Sequence, residues 1–519
     1  SDIDQLRAPW QNGSPSLYSF LAAAIEKRGS AQSELELEIP IGDPKQIRWV
    51  AGALDSLFGA PDQSRAQIKG RSVVAAINNV LRHPNEGNAT HLYRLLSNDG
   101  TISIIDEVLP RVAEQLGHRR PHLAKLSRRV VRESPDVEPV KSGIALLGIS
   151  GTPEDADLLF RMGHFEELTV YSVVALAHLL PEPEVQIWQL TKNVHGWGRI
   201  QAVHRLSATK NPEIKAWMLR EGFKNRIMYE YLAYTCATAG ELLEALSAPA
   251  PDDALLDGAG HILTALFNGG PAENIMDYGD GAAACVRYLQ HMAKRPAANL
   301  DTYVAARAMR TFVEDDKPDW AQRGPAWSAQ TQWDIRSEAL VVLQKPEWVS
   351  LVSGGLQSED EQSFYWSSHI APDLGIDPWP YMFERQRART SSQWFFLMQT
   401  PDPTRVDQVL ELARQQLDLE LVGSGPTDSM GLGHGYEDDS AADFIVQDLK
   451  RFPGKGWDLI RVGLRGRSIR LRNMALNALN AWDRDAWPSD ARAALEAARE
   501  REPDDEIRAR ISRLLEGPL

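Results

Sequence analysis

The sequence predicts an all-α fold, an α–α superhelix in which antiparallel helix pairs stack into a solenoid. Three observations carry that expectation. First, residues 163–240 repeat one pattern three times: apolar helical runs at 168–180, 197–206 and 227–237 each follow a glycine–aromatic pair, Gly163 with Phe165, Gly196 with Trp197 and Gly222 with Phe223. Second, the shorter helices between them are opened by turn residues, Pro181 and Pro183 before 185–190, and Asn211-Pro212 before 213–220. Proline is tolerated in a first helical turn, where its missing N–H costs nothing. Third, the unit recurs at roughly 27–30 residues, and a single helix pair cannot bury its apolar face alone, so the stacked array is what folds.

The elements follow in chain order. A helix is expected at 16–27, then a short period-two run at 35–39, Leu-Glu-Leu-Glu-Ile, that reads as a strand without a partner. Asp43-Pro44 opens a helix carrying Ile47, Val50, Leu54, Leu57 and Phe58, which Gly59-Ala60-Pro61 stops. Helices are expected at 63–81, 89–96, 102–116 and 120–132, with Pro84, Gly87, Gly100, Gly117 and Pro135 placed where helix hairpins turn. Residues 1–135 thus form an all-helical N-terminal part, and 136–313 the central repeats, beginning with an inner helix at 140–147 and a helix start at Thr152-Pro153-Glu154-Asp155. The polar run 314–319 and Gly324-Pro325 mark a boundary before a third part, 326–519. That part holds an aromatic-rich stretch, including Phe364, Tyr365, Trp366, Trp379, Tyr381, Phe383, Trp394, Phe395 and Phe396, expected to be core. It also holds a glycine-rich segment, 422–439, read as a flexible surface loop, and a capping hairpin at 488–515.

Composition bounds the function classes. The chain of 519 residues is 43% apolar and 24% charged, which describes an ordinary folded protein. Its net charge of -15 argues against nonspecific attraction to nucleic acid or to an anionic membrane. No stretch has the 18 or so uninterrupted apolar residues of a membrane span, and the N-terminus lacks a basic-then-apolar signal pattern, so a cytoplasmic protein is expected. Asn88-Ala89-Thr90 matches a glycosylation sequon that is idle without secretion. Cys236 and Cys285 sit in apolar helical runs and read as reduced core thiols, which excludes a disulfide framework and a cysteine-rich zinc site.

Two segments, Asp505-Glu506-Ile507-Arg508 and Ser468-Ile469-Arg470, each lead into an Ala/Leu-rich helix and resemble the motif of HEAT-repeat proteins. The resemblance covers about 139–240, one unit near 335 and the C-terminal end from about 456. It implies a helix-pair solenoid in which an acidic residue and an arginine on successive units form a ladder. The stretches GWGRIQAVHRL (196–206) and LRNMALNAL (471–479) are also similar to a bacterial HEAT-like group sometimes labelled limonene hydroxylase. A thiolate haem enzyme needs a cysteine in a glycine- and arginine-containing ligand loop, which neither Tyr234-Thr235-Cys236 nor Ala284-Cys285-Val286 supplies. No flavin or nicotinamide fingerprint follows a strand, so no cofactor is expected.

Other candidates for chemistry are sparse. Gly431-Leu432-Gly433-His434-Gly435-Tyr436 lacks both the strand and the Gly-Lys-Ser/Thr of a phosphate loop. His434 with Glu437, Asp438 and Asp439 could hold a divalent cation, although loop carboxylates are usually only solvated. Arg461, Arg465, Arg467, Arg470 and Arg472 form the one basic cluster and are expected to pair internally with Asp443, Asp448 and Asp458.

The polar face of the central repeats is the better candidate. On a helical wheel Arg226, Glu230 and Tyr234 line up at i, i+4 and i+8 beside a buried stripe of Ile227, Met228, Tyr231 and Leu232. Gln201 and Arg205 pair in the same way opposite Ile200, Val203 and Leu206, and Tyr171 and His178 share the face away from Val173, Val174 and Ala177. Inner helices of a solenoid commonly line its binding face. The expectation is therefore a non-catalytic scaffold, adaptor or inhibitor that binds a protein partner through Tyr171, His178, Gln201, Arg205, Arg226, Glu230 and Tyr234. The alternative is a nucleic-acid enzyme resembling HEAT-like alkylpurine DNA glycosylases, for which Trp197, Tyr234 and Glu230 would supply aromatic and carboxylate groups. A small-molecule hydroxylase, as the label implies, comes last. Composition and patterning leave the oligomeric state open.

Overall fold

The computed structural model describes residues 2–28, 50–57, 62–98, 100–317 and 319–517. The fold is all-α: among the described residues there is no β-strand, and one isolated parallel bridge joins Ser429 to Ser468. No described helix is long and apolar enough to cross a membrane. The strand expected at 35–39 and the start of the helix expected from Asp43 lie outside the described residues. The chain divides into two compact units, Ser1–Lys345 and Pro346–Leu519.

The first unit begins α1 (Leu17–Arg28), α2 (Ala53–Leu57), α3 (Gln63–Arg82), α4 (Glu86–Asn98), α5 (Thr101–Gln115), α6 (Arg120–Glu133), α7 (Val137–Ser150), α8 (Ala156–Met162), α9 (Thr169–Leu179), α10 (Glu184–Lys192), α11 (Trp197–Arg205), α12 (Pro212–Trp217) and α13 (Glu230–Ala239). From α3 onward each odd-numbered helix packs on the next odd-numbered one: α3 on α5, α5 on α7, α7 on α9, α9 on α11 and α11 on α13. Helices Asp253–Asn268, Leu300–Glu314 and Ala329–Leu343 extend the same layer, and α4, α6, α8 and α10 pack against it. The polar run 314–325 lies inside this unit, because the helices on either side of it pack directly on each other.

The glycine–aromatic pairs are packing devices. Phe165, Trp197 and Phe223 are all buried. A Cβ on Gly163 would stand 2.6 Å from a Leu190 methyl, and one on Gly222 would stand 2.8 Å from the Trp217 ring. Glycine thus lets neighbouring elements approach, and the aromatic fills the space beside them. The predicted helix start at Thr152 is a capping box completed by Asp155, whose carboxylate also takes Arg128 of α6 (2.5 and 3.0 Å).

One expected helix starts late. The run 227–237 becomes helical only at Glu230, because the Asn225 side-chain oxygen accepts the backbone N–H groups of Ile227 (2.9 Å) and Met228 (2.8 Å) and holds the segment in a turn. Arg226 is therefore a loop residue, and its wheel alignment with Glu230 and Tyr234 does not exist. Ala177, expected in the core, is exposed.

In the second unit, helix Trp394–Leu397 packs on Glu437–Asp448, which packs on Ile469–Ala481, which packs on Asp505–Glu516; Leu419–Val422, Trp457–Leu464 and Ala491–Arg501 form the other layer. Arg461, Arg467, Arg470 and Arg472 of the arginine cluster are internally paired, as expected, Arg470 with the expected Asp443 and the other three with different carboxylates. Arg467 meets Asp439 (2.8 Å), Arg461 meets Asp490 (3.2 Å), Arg470 meets Asp443, and Arg472 meets Glu502 (2.8 Å). Asp448 and Asp458 instead pair with Arg451 and Arg414. The glycine-rich segment is pinned and not simply a surface loop: Arg467 N–H donates to the Val422 carbonyl (3.0 Å), and the Arg472 guanidinium donates to the Thr427 carbonyl (2.8 Å). The aromatic stretch is core only in part, with Phe364, Trp379 and Trp394 buried and Tyr365, Tyr381 and Phe395 exposed.

Candidate functional site

The site grows out of the repeat period. Lys141 on α7, Tyr171 on α9 and Gln201 on α11 are successive members of one position, thirty residues apart in sequence, on three helices that pack side by side. Across them lies a strap, residues 50–57, that contains α2. Lys141 Nζ donates to Asp55 Oδ2 (2.9 Å), Tyr171 OH donates to the same oxygen (2.8 Å), and Gln201 Nε2 donates to Ser56 Oγ (2.7 Å). The strap's backbone is held as well. Gly52 N–H donates to Glu167 Oε1 (2.9 Å), and at φ +83° its missing side chain leaves room for the Glu166 carbonyl and the Trp197 Cβ, each 3.0 Å from where a Cβ would stand.

Around Lys141 the electrostatics are lopsided. The Lys141 side chain is only 3% exposed, and its ammonium has three carboxylates around it: Asp55, Glu138 (2.9 Å) and Glu167 (3.1 Å). Burial works against its charge, but the carboxylates of Glu138, Glu167 and Asp55 outweigh burial and hold the ammonium above its ordinary range. Burial and the neighbouring Asp55 carboxylate push the Tyr171 phenol up in turn. Both groups are thus locked as donors at neutral pH, which suits them to recognising an acceptor and not to proton transfer. The adjoining Glu166 carboxylate clamps the start of α11 by accepting from the backbone N–H groups of His195 (2.7 Å), Gly196 (2.9 Å) and Gly198 (2.5 Å).

The residues expected from the sequence separate into two groups. Tyr171 and Gln201 come together beneath the strap, Tyr171 only 5% exposed and Gln201 half-buried, so the polar face expected to meet a partner is covered here by the chain itself. The reason is a long-range one: the strap comes from more than a hundred residues earlier in the chain. His178 and Arg205, in the last turns of α9 and α11, are exposed. Arg226 is exposed in its loop, where its backbone N–H donates to the His195 carbonyl (2.7 Å). Glu230 is half-buried and accepts from Asn268 Nδ2 (3.2 Å), and Tyr234 is half-buried on the same helix. Trp197 is buried and packs on Tyr231 with ring centroids 5.0 Å apart, so it is not presented as a stacking surface beside Tyr234 and Glu230.

Sequence reasoning missed Lys141, Glu138, Glu167 and Asp55. The thirty-residue spacing from Lys141 to Tyr171 to Gln201 could have pointed to Lys141; nothing local points to Asp55. Cys236 and Cys285 are fully buried free thiols, pushed up by burial. His434 Nδ1 lies 3.1 Å from Glu437, but the other two carboxylates turn elsewhere: Asp438 accepts from Asp418 N–H (2.9 Å), and Asp439 takes Arg467. Among the described residues no group of three or more His, Cys, Asp or Glu side chains is placed to hold a metal ion.

The fold and site together define a helix-pair repeat protein whose inner helices carry a ladder of side chains that holds a peptide segment. Comparison with family models, with curated proteins and with solved structures finds no match.

Proposed function

We propose that this chain works by binding: the layer of odd-numbered helices recognises a segment of a protein partner, making the protein a scaffold, adaptor or inhibitor. One observation carries the reading. The ladder of Lys141, Tyr171 and Gln201 already grips a polypeptide segment, the strap, through its side chains, and the exposed His178, Arg205 and Arg226 extend the polar surface of the same helices and of the loop before α13. We include in the reading a kinship with HEAT-type repeats. The pairs Arg128–Asp155 and Arg472–Glu502 support it, since each joins an arginine to a carboxylate about one repeat further along the chain. A cytoplasmic setting fits the two unpaired buried thiols.

Affinity capture from native lysate, with the whole chain as bait, tests the reading. The wild-type chain should retain a specific stoichiometric protein, and the double variant Arg205→Glu/Arg226→Glu should lose it while melting within a few degrees of wild type, because exposed substitutions usually change stability by only about 0.5 kcal/mol. A partner that both baits hold equally, or no specific partner at all, counts against the reading.

A further inference from the structure

The inference rests on the binding function proposed above and names what the ladder takes. We propose that residues 50–57 are a built-in competitor: Lys141, Tyr171 and Gln201 form a cradle for a short helical segment of a partner protein that carries a carboxylate, and the strap holds this cradle until such a segment displaces it.

The ligand chemistry is read from the occupant. One oxygen of Asp55 receives both Lys141 and Tyr171, two donors from adjacent repeats that converge on a single carboxylate. A neutral group there would leave the ammonium and phenol with a weaker acceptor. One residue further along, Gln201 reads a hydroxyl, Ser56. The cradle therefore selects a carboxylate and an adjacent polar side chain on one turn of helix.

The strap is also built to leave. Its helix is five residues long, too short to be stable alone. Of its residues only Gly52 and Ala53 are buried, whereas Val50, Leu54 and Leu57 are exposed, so little apolar area holds it in place. Its departure does not strand a buried charge, because Lys141 keeps Glu138 and Glu167. The fit is incomplete as well. Gln201 Oε1 is buried and accepts no hydrogen bond among the described residues, so a ligand that brings a donor to it makes one contact the strap does not.

The test uses the full chain and a fluorescein-labelled peptide with the strap's own sequence, VAGALDSL, read by anisotropy. Two variants loosen the strap without touching the cradle: Asp55→Ala removes its anchor, and Gly52→Ala strains its backbone against Glu166 and Trp197. Because a tethered competitor acts at an effective concentration on the order of millimolar, both variants should bind the peptide at least tenfold more tightly than wild type. The peptide with Asn in place of Asp should lose that binding, and Tyr171→Phe added to Asp55→Ala should cancel the gain. Equal peptide affinity in wild type and both variants, binding indifferent to the peptide's Asp, or no binding to any chain overturns the proposal. So does loss of the folded state in both variants, since the strap would then be core. A captured partner that Arg205→Glu/Arg226→Glu loses, with no peptide gain in the strap variants, leaves the binding function standing and removes this inference alone. A peptide gain without any captured partner shows that the strap competes for the cradle but counts against a protein partner, and so against the binding function and the ligand named here.

Discussion

Asp443 shows how strongly a single site in this array can depend on pH. Burial pushes its carboxyl up to about 6, Arg470 opposing only in part, and its Oδ1 accepts no hydrogen bond among the described residues. The folded chain therefore holds this proton more tightly than the unfolded chain does. The stability it contributes is present below the ordinary carboxyl value of 3.8 and is lost as pH rises through about 6. Asp443→Asn removes the titration. Its melting temperature relative to wild type should climb between about pH 4 and pH 6.5 and level off above, a pattern that thermal melts across that window would read directly. A constant difference at every pH would mean that Arg470 neutralises the burial cost. Arg472 presents the opposite case. It is as deeply buried, yet Glu502 meets it with two hydrogen bonds (2.8 and 3.0 Å), so the pair satisfies itself.

At the scale of elements, close approach decides more than helix propensity does. The π-helical turn Met218–Gly222 packs against helix Asp253–Asn268 at Gly258, where a Cβ would stand 1.9 Å from the Leu219 carbonyl oxygen. That neighbour is backbone and cannot swing aside. Gly258→Ala should destabilise the chain by about 3 kcal/mol or more, whereas Gly354→Ala, in the last turn of helix Glu347–Leu356 with nothing within 4 Å of its Cβ, should stabilise it by up to about 1 kcal/mol. Urea titration of the two variants checks the contrast in sign, and a Gly258→Ala chain as stable as wild type would mean that the π-helical turn shifts freely. Loops are fixed by similar long reaches. Arg199 on α11, which stands beside Gly198 in the repeat, donates to the carbonyls of Val194 (2.7 Å), Lys192 (3.2 Å) and Lys224 (2.9 Å), tying two connections to one helix.

At the scale of the molecule, net charge weighs against polyanionic partners. A net charge of -15 repels a polyanion at long range, and in the second unit Arg461, Arg467, Arg470 and Arg472 are engaged by Asp490, Asp439, Asp443 and Glu502. Duplex DNA should accordingly bind no more tightly than micromolar at physiological salt. Submicromolar binding in a filter or anisotropy assay would put the alternative, a nucleic-acid enzyme, ahead of the protein-binding reading.

Much of the architecture is determined by the sequence alone, because it follows from local rules. Apolar period, glycine–aromatic punctuation and proline-opened turns placed most helices to within a few residues, as at Gln63–Arg82, Thr101–Gln115 and Arg120–Glu133. The site was legible only in outline. Tyr171 and Gln201 were picked out as polar positions on inner helices, but a helical wheel assumes a free face and continuous helix. Asn225 breaks that assumption before α13, and the strap breaks it over α9 and α11. Tertiary structure alone decided that Asp55 meets Lys141 and Tyr171. Contacts between residues 86 and 116 positions apart leave no trace in local periodicity, since they depend on where the stacked repeats carry the chain and not on what any one helix prefers.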